Sequence, residues 1–525
     1  MDGIVDGANS GDSGQVLEQY SYLGLSTIVA RNRPQSSVSL VSFVVGSIGA
    51  GGDQYVGLDQ FGRVVNQNWV TSSGASVDSY TYTYDGDGNV TSKVNNLDSA
   101  YSETYAYDSL NRLTSTTRNG SAYQSWNLDS QGNWSGFTNQ GTTQTETANS
   151  QNQITSISGT AKTPGYDNNG NMTADQNGNT LIYDGWNRLV EVKNSSGAVI
   201  AQYSYNAQNY AVTVTYPQGN SQIPAGTTNY IYYSNQWQVI EVRTGGTSVS
   251  DVSTQMVWSA AYVNAAILQD TYSNGVTQPN SRLYFLQDAD WNTTAVVGYN
   301  PSTQTWGVVQ RYVYDSYGNI TVLNADWSAT PTGTAPMVNS LYQGMQYDPI
   351  TGLYYGRARW YSPSLGRWIS QDPAGYVDGA NLYQMELGHP VRSTDPEGLA
   401  IVGVPAAGSQ ELGIGDVITG SIPGVAEVCG GAECAMKAMA TEAPGMLNEW
   451  LVWRIGEDQN AGVNLNSDPI YTALEGWHNG ALLTCEQLAI ANWWLWYFNT
   501  NGRNTTPTIP APNGGWPTTP APKRY

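Results

Sequence analysis

The side chains that could do chemistry concentrate between residues 341 and 399. That stretch reads Leu341-Tyr342-Gln343-Gly344-Met345-Gln346-Tyr347-Asp348-Pro349-Ile350-Thr351-Gly352-Leu353-Tyr354-Tyr355-Gly356-Arg357-Ala358-Arg359-Trp360-Tyr361. Gly366-Arg367-Trp368-Ile369-Ser370-Gln371-Asp372-Pro373, Asn381-Leu382-Tyr383 and Asp395-Pro396-Glu397-Gly398-Leu399 follow. Carboxylates and guanidinium groups recur in it, and together they can hydrolyse an amide. One acid takes a proton from water and another gives one to the leaving nitrogen. Acids brought close cannot both ionise, so their pKa values separate. A guanidinium holds one acid ionised or steadies a tetrahedral oxyanion. This chemistry calls for no metal and no cofactor. Histidine-based proteolysis is poorly supported, because His389 and His478 are the only histidines, and His389 precedes Pro390 in a loop. Taken singly, Asp372-Pro373 and Asp395-Pro396 read as turn formers and Arg359 as a salt-bridge partner.

Such groups need a frame, and repeats upstream supply one. An aromatic residue or Leu is followed by Asp, two or three small polar residues, Gly or Asn, and a polar–apolar pair. Copies stand at 58–64, 84–90, 107–113, 128–133, 166–172, 183–189 and 314–320. The Asp closes its own backbone into an Asx-turn, and Gly or Asn accepts positive φ. Flanks such as Tyr80-Thr81-Tyr82-Thr83-Tyr84 alternate with the period of a strand that buries one face. Each unit is therefore strand, tight turn, strand. One hairpin cannot hide its apolar face, so consecutive hairpins must stack into a continuous sheet. Asp85-Gly86-Asp87-Gly88-Asn89 looks like the start of a calcium loop, but Val90 stands at the sixth position and Asn96 at the twelfth, where Gly and Glu are required. A hairpin turn is the expectation there. Composition agrees with a sheet protein: Tyr (36) and Trp (18) far outnumber Phe (5), and Gly (57) is abundant.

The repeat, Y-D-x-x-G-N/R-[LVI], is similar to the YD repeat of RHS proteins, toxin-complex C subunits, teneurins and bacterial wall-associated proteins. Residues 341–399 resemble the RHS-associated core, whose pattern is close to YD-x-x-TGLYY-x-x-AR-[YW]-Y, GR-[FW]-[IL]-S-x-DP, NLY and DP-x-GL. The resemblance covers roughly residues 50–399. It implies an all-β fold in which YD hairpins stack into a spiralling sheet or shell, with a small, mainly α or irregular C-terminal segment. The expected organisation is an N-terminal segment (1–49, partly disordered and then β), the shell (50–335), the core (336–399), a variable C-terminal domain (400–504) and a Pro-rich tail (505–525). The resemblance also implies autoproteolysis directly after the Leu of DP-x-GL, which is the Leu399–Ala400 bond here. It assigns the essential aspartate to Asp372 and the assisting arginine to Arg359. It puts a second acid in the stretch before Thr351-Gly352, where Asp348 is available and Ile350 occupies the position nearest to it that is often acidic. Asp395, with Pro396 and Gly398 in the same motif, is expected to be structural or to place the cleavage strand. Ser362 stands where many relatives carry an acid before Pro363.

Acids outnumber bases 42 to 21, and the net charge of −21 argues against nucleic acid or an anionic membrane surface as partner of the repeat body. No basic start followed by an apolar run marks a secretory signal in Met1 to Gln15, so a secreted or cell-surface location requires another route or a longer precursor. The pattern breaks at Ala400. Cys429, Cys434 and Cys485 all lie beyond it, an odd number at spacings unlike a zinc knuckle. His478 and Cys485 are seven apart, with Gly480 between them, and make a weak catalytic pair. Residues 481–498 read as a helix that carries Glu486, Gln487 and Asn492, which suits a buried or interfacial helix better than a membrane span. Thr505 to Tyr525 holds six prolines and reads as an extended tail. The expected partner of the shell is its own C-terminal segment. Residues 50–399 are few for a closed cage, so a second chain, a missing N-terminal part or a homo-oligomer would complete it. Two function classes remain: a self-processing shell around a C-terminal polypeptide, and a non-toxic surface, wall or adhesion scaffold with a structural core.

Overall fold

A computed structural model describes residues 3–5, 16–23, 27–41 and 57–403, all within the unit Met1–Glu411. The three cysteines, His478, the run 481–498 and the tail from Thr505 lie outside the described residues.

Asp85 shows how one repeat closes. Its Oδ1 accepts the Asp87 and Asn89 backbone N–H groups at 3.0 and 2.8 Å, and its Oδ2 accepts the Asn89 side-chain amide at 2.8 Å. Its carboxylate is spent on the turn, as expected of a hairpin. Gly88 sits at φ 83°, a backbone conformation that glycine adopts without a Cβ penalty. Asp129, Asp167 and Asp315 hold Asn133, Asn171 and Asn319 in the same way. Where Arg replaces that Asn, its Nε reaches the same oxygen: Arg63 on Asp59, Arg112 on Asp108 and Arg188 on Asp184. The Asn/Arg choice at the end of the motif is thus a choice between two donors for one Asp oxygen.

The tyrosine before the Asp joins successive units. Tyr107 donates its hydroxyl to the Val90 carbonyl, Tyr205 to Leu189 and Tyr314 to Thr293, each at 2.7 Å. A bulge precedes the turns that follow Tyr84, Tyr107 and Tyr205, so that Tyr84 faces Val90, Tyr107 faces Leu113 and Tyr205 faces Ala211. These units therefore hydrogen-bond back onto their predecessors through a side chain as well as through the ladder.

The hairpins assemble into two large antiparallel sheets in chain order. Thirteen described strands run from Gly3–Val5 to Ile154–Ile157, and fifteen run from Gly165–Tyr166 to Ile320–Asn324, with Val276–Thr277 off the main path beside Ala266–Ser273. The strands within residues 1–49 join the first sheet. Because YD turns follow every second strand, they line one edge. No α-helix occurs among the described residues, and no described helix is long and apolar enough to cross a membrane. The sheets meet through buried polar contacts: Gln67 Nε2 donates to the Gln287 carbonyl at 2.9 Å, and Gln124 Nε2 to Asp315 Oδ2 at 2.8 Å.

The segment from 341 onward docks on these turns. Tyr361 donates to the Tyr317 carbonyl at 2.8 Å, Tyr354 to Gly318 at 3.0 Å and Tyr383 to Gly170 at 2.7 Å. Arg367 Nη2 donates to the Asn152 carbonyl at 2.8 Å, and Arg392 Nη1 to Asn89 Oδ1 at 3.0 Å. Tyr354, Tyr361, Trp368 and Tyr383 are completely buried. The aromatic residues of this segment thus bury their rings while their hydroxyls satisfy turn carbonyls of the second sheet, and Arg367 and Arg392 reach turns of the first. That rigid seat is what positions the acids.

Candidate active site

Arg359 opens the strand Arg359–Ser362, which pairs antiparallel with Tyr354–Gly356 across the tight turn at Arg357-Ala358. Its guanidinium stacks over the Trp368 ring at 4.3 Å. From there Nη2 lies 2.9 Å from Asp372 Oδ2 and 2.9 Å from Asp395 Oδ2. Nη1 donates to the Leu382 carbonyl at 3.2 Å. One planar cation, fixed on an aromatic face, therefore spans two carboxylates.

Asp372 also forms a turn. Its Oδ1 accepts the Ala374 N–H at 2.8 Å, and the Gly375 N–H donates to its carbonyl at 3.0 Å. The turn-forming role and the place beside Arg359 coexist in one residue. Asp395 is more deeply enclosed, at 2% exposure. Its Oδ1 accepts the backbone N–H groups of Leu399 and Ala400 at 3.0 and 3.2 Å. The turn it closes is pinned from outside: Ala358 N–H donates to the Glu397 carbonyl at 3.0 Å, and the Arg357 guanidinium donates to the Pro396 carbonyl. Gly398 sits at φ 67°, and a Cβ there would lie 2.5 Å from the Gly356 carbonyl oxygen. Only glycine lets this turn approach the Tyr354–Ser362 hairpin so closely.

A further acid belongs to the group. Asp378 Oδ2 accepts the Ile401 N–H at 3.0 Å. Together with Arg359, Asp372, Leu382, Asp395 and Ile401 it lines one small recess. Asp378 carries no motif in the sequence. Its only signal is a place six residues after Asp372 in a loop bounded by glycines.

Burial raises the pKa of all three carboxyl groups. For Asp372 the value is about 6, with Arg359 opposing the rise and Asp395 and Asp378 adding to it. Asp395 is raised by burial against the pull of Arg359 and of the Leu399 and Ala400 amides. Asp378 is raised by burial and by the charge of Asp395. Three acids around one cation cannot all ionise without cost, so the group is set up to hold a proton near neutral pH.

Asp348 lies elsewhere. Its Oδ2 accepts the Tyr203 hydroxyl at 2.6 Å, and its Oδ1 accepts the Ile350 and Thr351 N–H groups at 2.9 and 3.1 Å. It is a buried turn acid between the second sheet and the Gln346–Tyr347 strand, and it does not line the space beside Arg359. Ile350 packs among apolar residues of the second sheet. Ser362 Oγ meets Ser364 Oγ at 3.3 Å, and His389 Nε2 lies 3.4 Å from the Leu110 carbonyl, away from the acids. The acid that shares the guanidinium with Asp372 is Asp395. Sequence reading gave it only a structural or placing role, because pairing across 23 residues is invisible without the fold.

Comparison with known proteins gives a consistent picture. The teneurin YD-shell family model matches residues 56–387. Toxin subunit YenC2 of Yersinia entomophaga is 43% identical over 93 residues, covering 18% of this chain and 9% of that protein. The tRNA3(Ser)-specific nuclease WapA of Bacillus spizizenii is 27% identical over 301 residues, or 56% of this chain and 12% of the nuclease. The chain therefore spans about a tenth of the length of these relatives. A solved structure of the Photorhabdus luminescens Tc holotoxin pore matches 77% of this chain and 20% of its own, with a TM-score of 0.57 at 20% identity. That likeness speaks to the fold alone.

Proposed function

Because the chain belongs to the teneurin YD-shell family, we propose that its shell encloses or presents the polypeptide from Ala400 onward and releases it by one aspartate-dependent cut of its own Leu399–Ala400 bond. The observation that carries this reading is the double contact of Asp395. One of its oxygens shares Arg359 with Asp372, and the other accepts the N–H of that bond's own amide, at Ala400, and of the preceding one, at Leu399.

The chemistry follows from that placement. Ionised Asp372 takes a proton from a water molecule, whose oxygen attacks the Leu399 carbonyl carbon. Arg359 steadies the oxyanion. Asp395, whose Oδ1 accepts the Ala400 N–H at 3.2 Å before the cut, gives its carboxyl proton to that nitrogen once water has added and the nitrogen has become pyramidal, as the C–N bond breaks. Leu399 ends as a carboxylate and Ala400 as a free amine. The substrate is part of the fold, so orientation supplies much of the rate. Asp348 has no step in this scheme.

Cargo release is supported by relatives whose names specify a toxin subunit and a nuclease. A secreted or cell-surface location belongs to the same reading, as does completion of the shell by a second chain or a homo-oligomer. The alternative is a wall or adhesion scaffold with a structural core, favoured by the lack of a readable catalytic pattern after Ala400.

Intact-mass analysis of the purified full chain is expected to show 1–399 and 400–525 as separate masses that co-elute under native conditions. The Val402–Gly403 pairing with Ser393–Thr394 lies on the leaving side and survives the cut. A wild-type chain that stays whole overturns the autoproteolysis. Growth arrest on bacterial expression of 400–525 supports cargo toxicity, and normal growth supports the scaffold. Gly398→Ala is expected to slow the cut on the order of 10²-fold, since displacing the reacting bond by about 1 Å has that effect. The time course of intact mass checks it, and a wild-type rate would exclude the close approach at Gly356 as a requirement.

A further inference from the structure

We propose that Asp378 is a positioning residue for the cut, holding the leaving side of the Leu399–Ala400 bond through the Ile401 amide. The inference rests on the autoproteolysis reading and adds a residue that no motif marks.

Three successive amides cross this bond. Asp395 holds the first two, at Leu399 and Ala400, and Asp378 holds the third, at Ile401, at 3.0 Å. The two acids come from different loops, so the bond is gripped from two sides. Beyond Ile401 the only described ladder is the short pairing of Val402–Gly403 with Ser393–Thr394. A ladder that short leaves room for slippage. The Asp378 contact lies between that ladder and the bond, where it limits such movement.

The loop that brings Asp378 there begins at Asp372 itself. Gly375 at φ 76° and Gly379 at φ 144° let it fold back on itself. A Cβ at Gly379 would come within 3.1 Å of Leu387 Cδ2, so the return of the loop is packed. Anchoring Asp378 on Ile401 therefore also sets where Asp372, at the other end of the loop, stands relative to the Leu399 carbonyl. Asp378 touches the chain two residues beyond the reacting carbonyl, and it acts by accepting a hydrogen bond. Its charge is not what the role requires.

The test follows the appearance of 1–399 by intact mass during cell-free synthesis of the full chain. Asp378→Ala is expected to cut about tenfold more slowly than wild type, and Asp378→Asn, which keeps a carbonyl acceptor, within about twofold of it. Ile401→Pro removes the donor from the other side. It is expected to slow the cut by a similar factor and to add nothing in combination with Asp378→Ala. Asp378→Ala cutting at the wild-type rate overturns the proposal while leaving autoproteolysis standing. So does Asp378→Asn as slow as Asp378→Ala, or additive slowing in the double variant. A wild-type chain that never cuts overturns the autoproteolysis reading instead. Thermal melting of each substitution in the uncut Asp372→Asn background separates misfolding from misplacement. If Asp378→Ala lowers the melting point, the Asp378→Asn and Ile401→Pro pair decides the question.

Discussion

Asp372→Asn is expected to leave the full chain whole under conditions in which the wild type is expected to separate at Leu399–Ala400. The substitution is nearly isosteric. Asn keeps the oxygen that accepts the Ala374 N–H, so the turn at Pro373 is retained. It loses the charge that pairs with Arg359 and the ability to take a proton from water, and losing a general base costs on the order of 10²–10⁴-fold in rate. Stability should not fall with it. Burial raises Asp372 to about 6, so the fold disfavours its ionised form as pH rises from the ordinary aspartate range through 6. A neutral Asn avoids that penalty at pH 7, and the melting point is expected to equal or exceed that of the wild type. The pH profile of the wild-type cut carries the same sign. The rate is expected to climb as Asp372 ionises near pH 6. Time courses read by intact mass from pH 4 to pH 9 check that rise. Cleavage of Asp372→Asn at the wild-type rate would remove Asp372 from the chemistry.

The frame of this site was open to sequence reading because its cause is local. An Asp that binds two amides within four residues, and a Gly or Asn at positive φ, act within one turn, and the alternating strands on either side announce their own buried face. The same logic fails where tertiary packing supplies the energy. Trp237, Trp291 and Trp327 occupy positive φ in turns where glycine or asparagine would be expected, and Trp237 and Trp291 stack on Tyr210 and Tyr262. Asp378 and Asp395 meet only because two loops converge on one strand, and neither spacing nor composition encodes that convergence. Asp348 drew attention as an acid near Thr351-Gly352, yet the fold commits its oxygens to Tyr203 and its own turn. A motif names which residues share a segment. Which of them share a guanidinium depends on contacts hundreds of residues apart in the chain.

Arg33→Met tests the seam on which that convergence depends, and it is expected to destabilise the shell by roughly 3–5 kcal/mol, the usual result of leaving a buried charge short of its partner. Glu18 is fully buried between Arg31, at 3.0 Å, and Arg33, at 2.8 Å. Arg33 stacks on the Trp69 ring at 4.5 Å and donates to the Phe285 carbonyl in the second sheet. Burial alone would raise Glu18, but the two guanidinium groups override it and hold its pKa below the usual glutamate range. A depressed acid contributes stability above its unfolded pKa and loses it as pH falls through its folded one. With Arg33 gone that depression weakens, and Glu18 becomes a group that burial pushes toward protonation. The loss measured as a shift in the urea unfolding midpoint should therefore be largest at neutral pH and shrink as the pH is lowered toward 4.5, the ordinary value for glutamate. Glu18→Gln combined with Arg33→Met should recover part of the loss, because the stranded charge goes with its partner. Equal midpoints for the single variant and the wild type would mean that the triad adds no net stability to the seam.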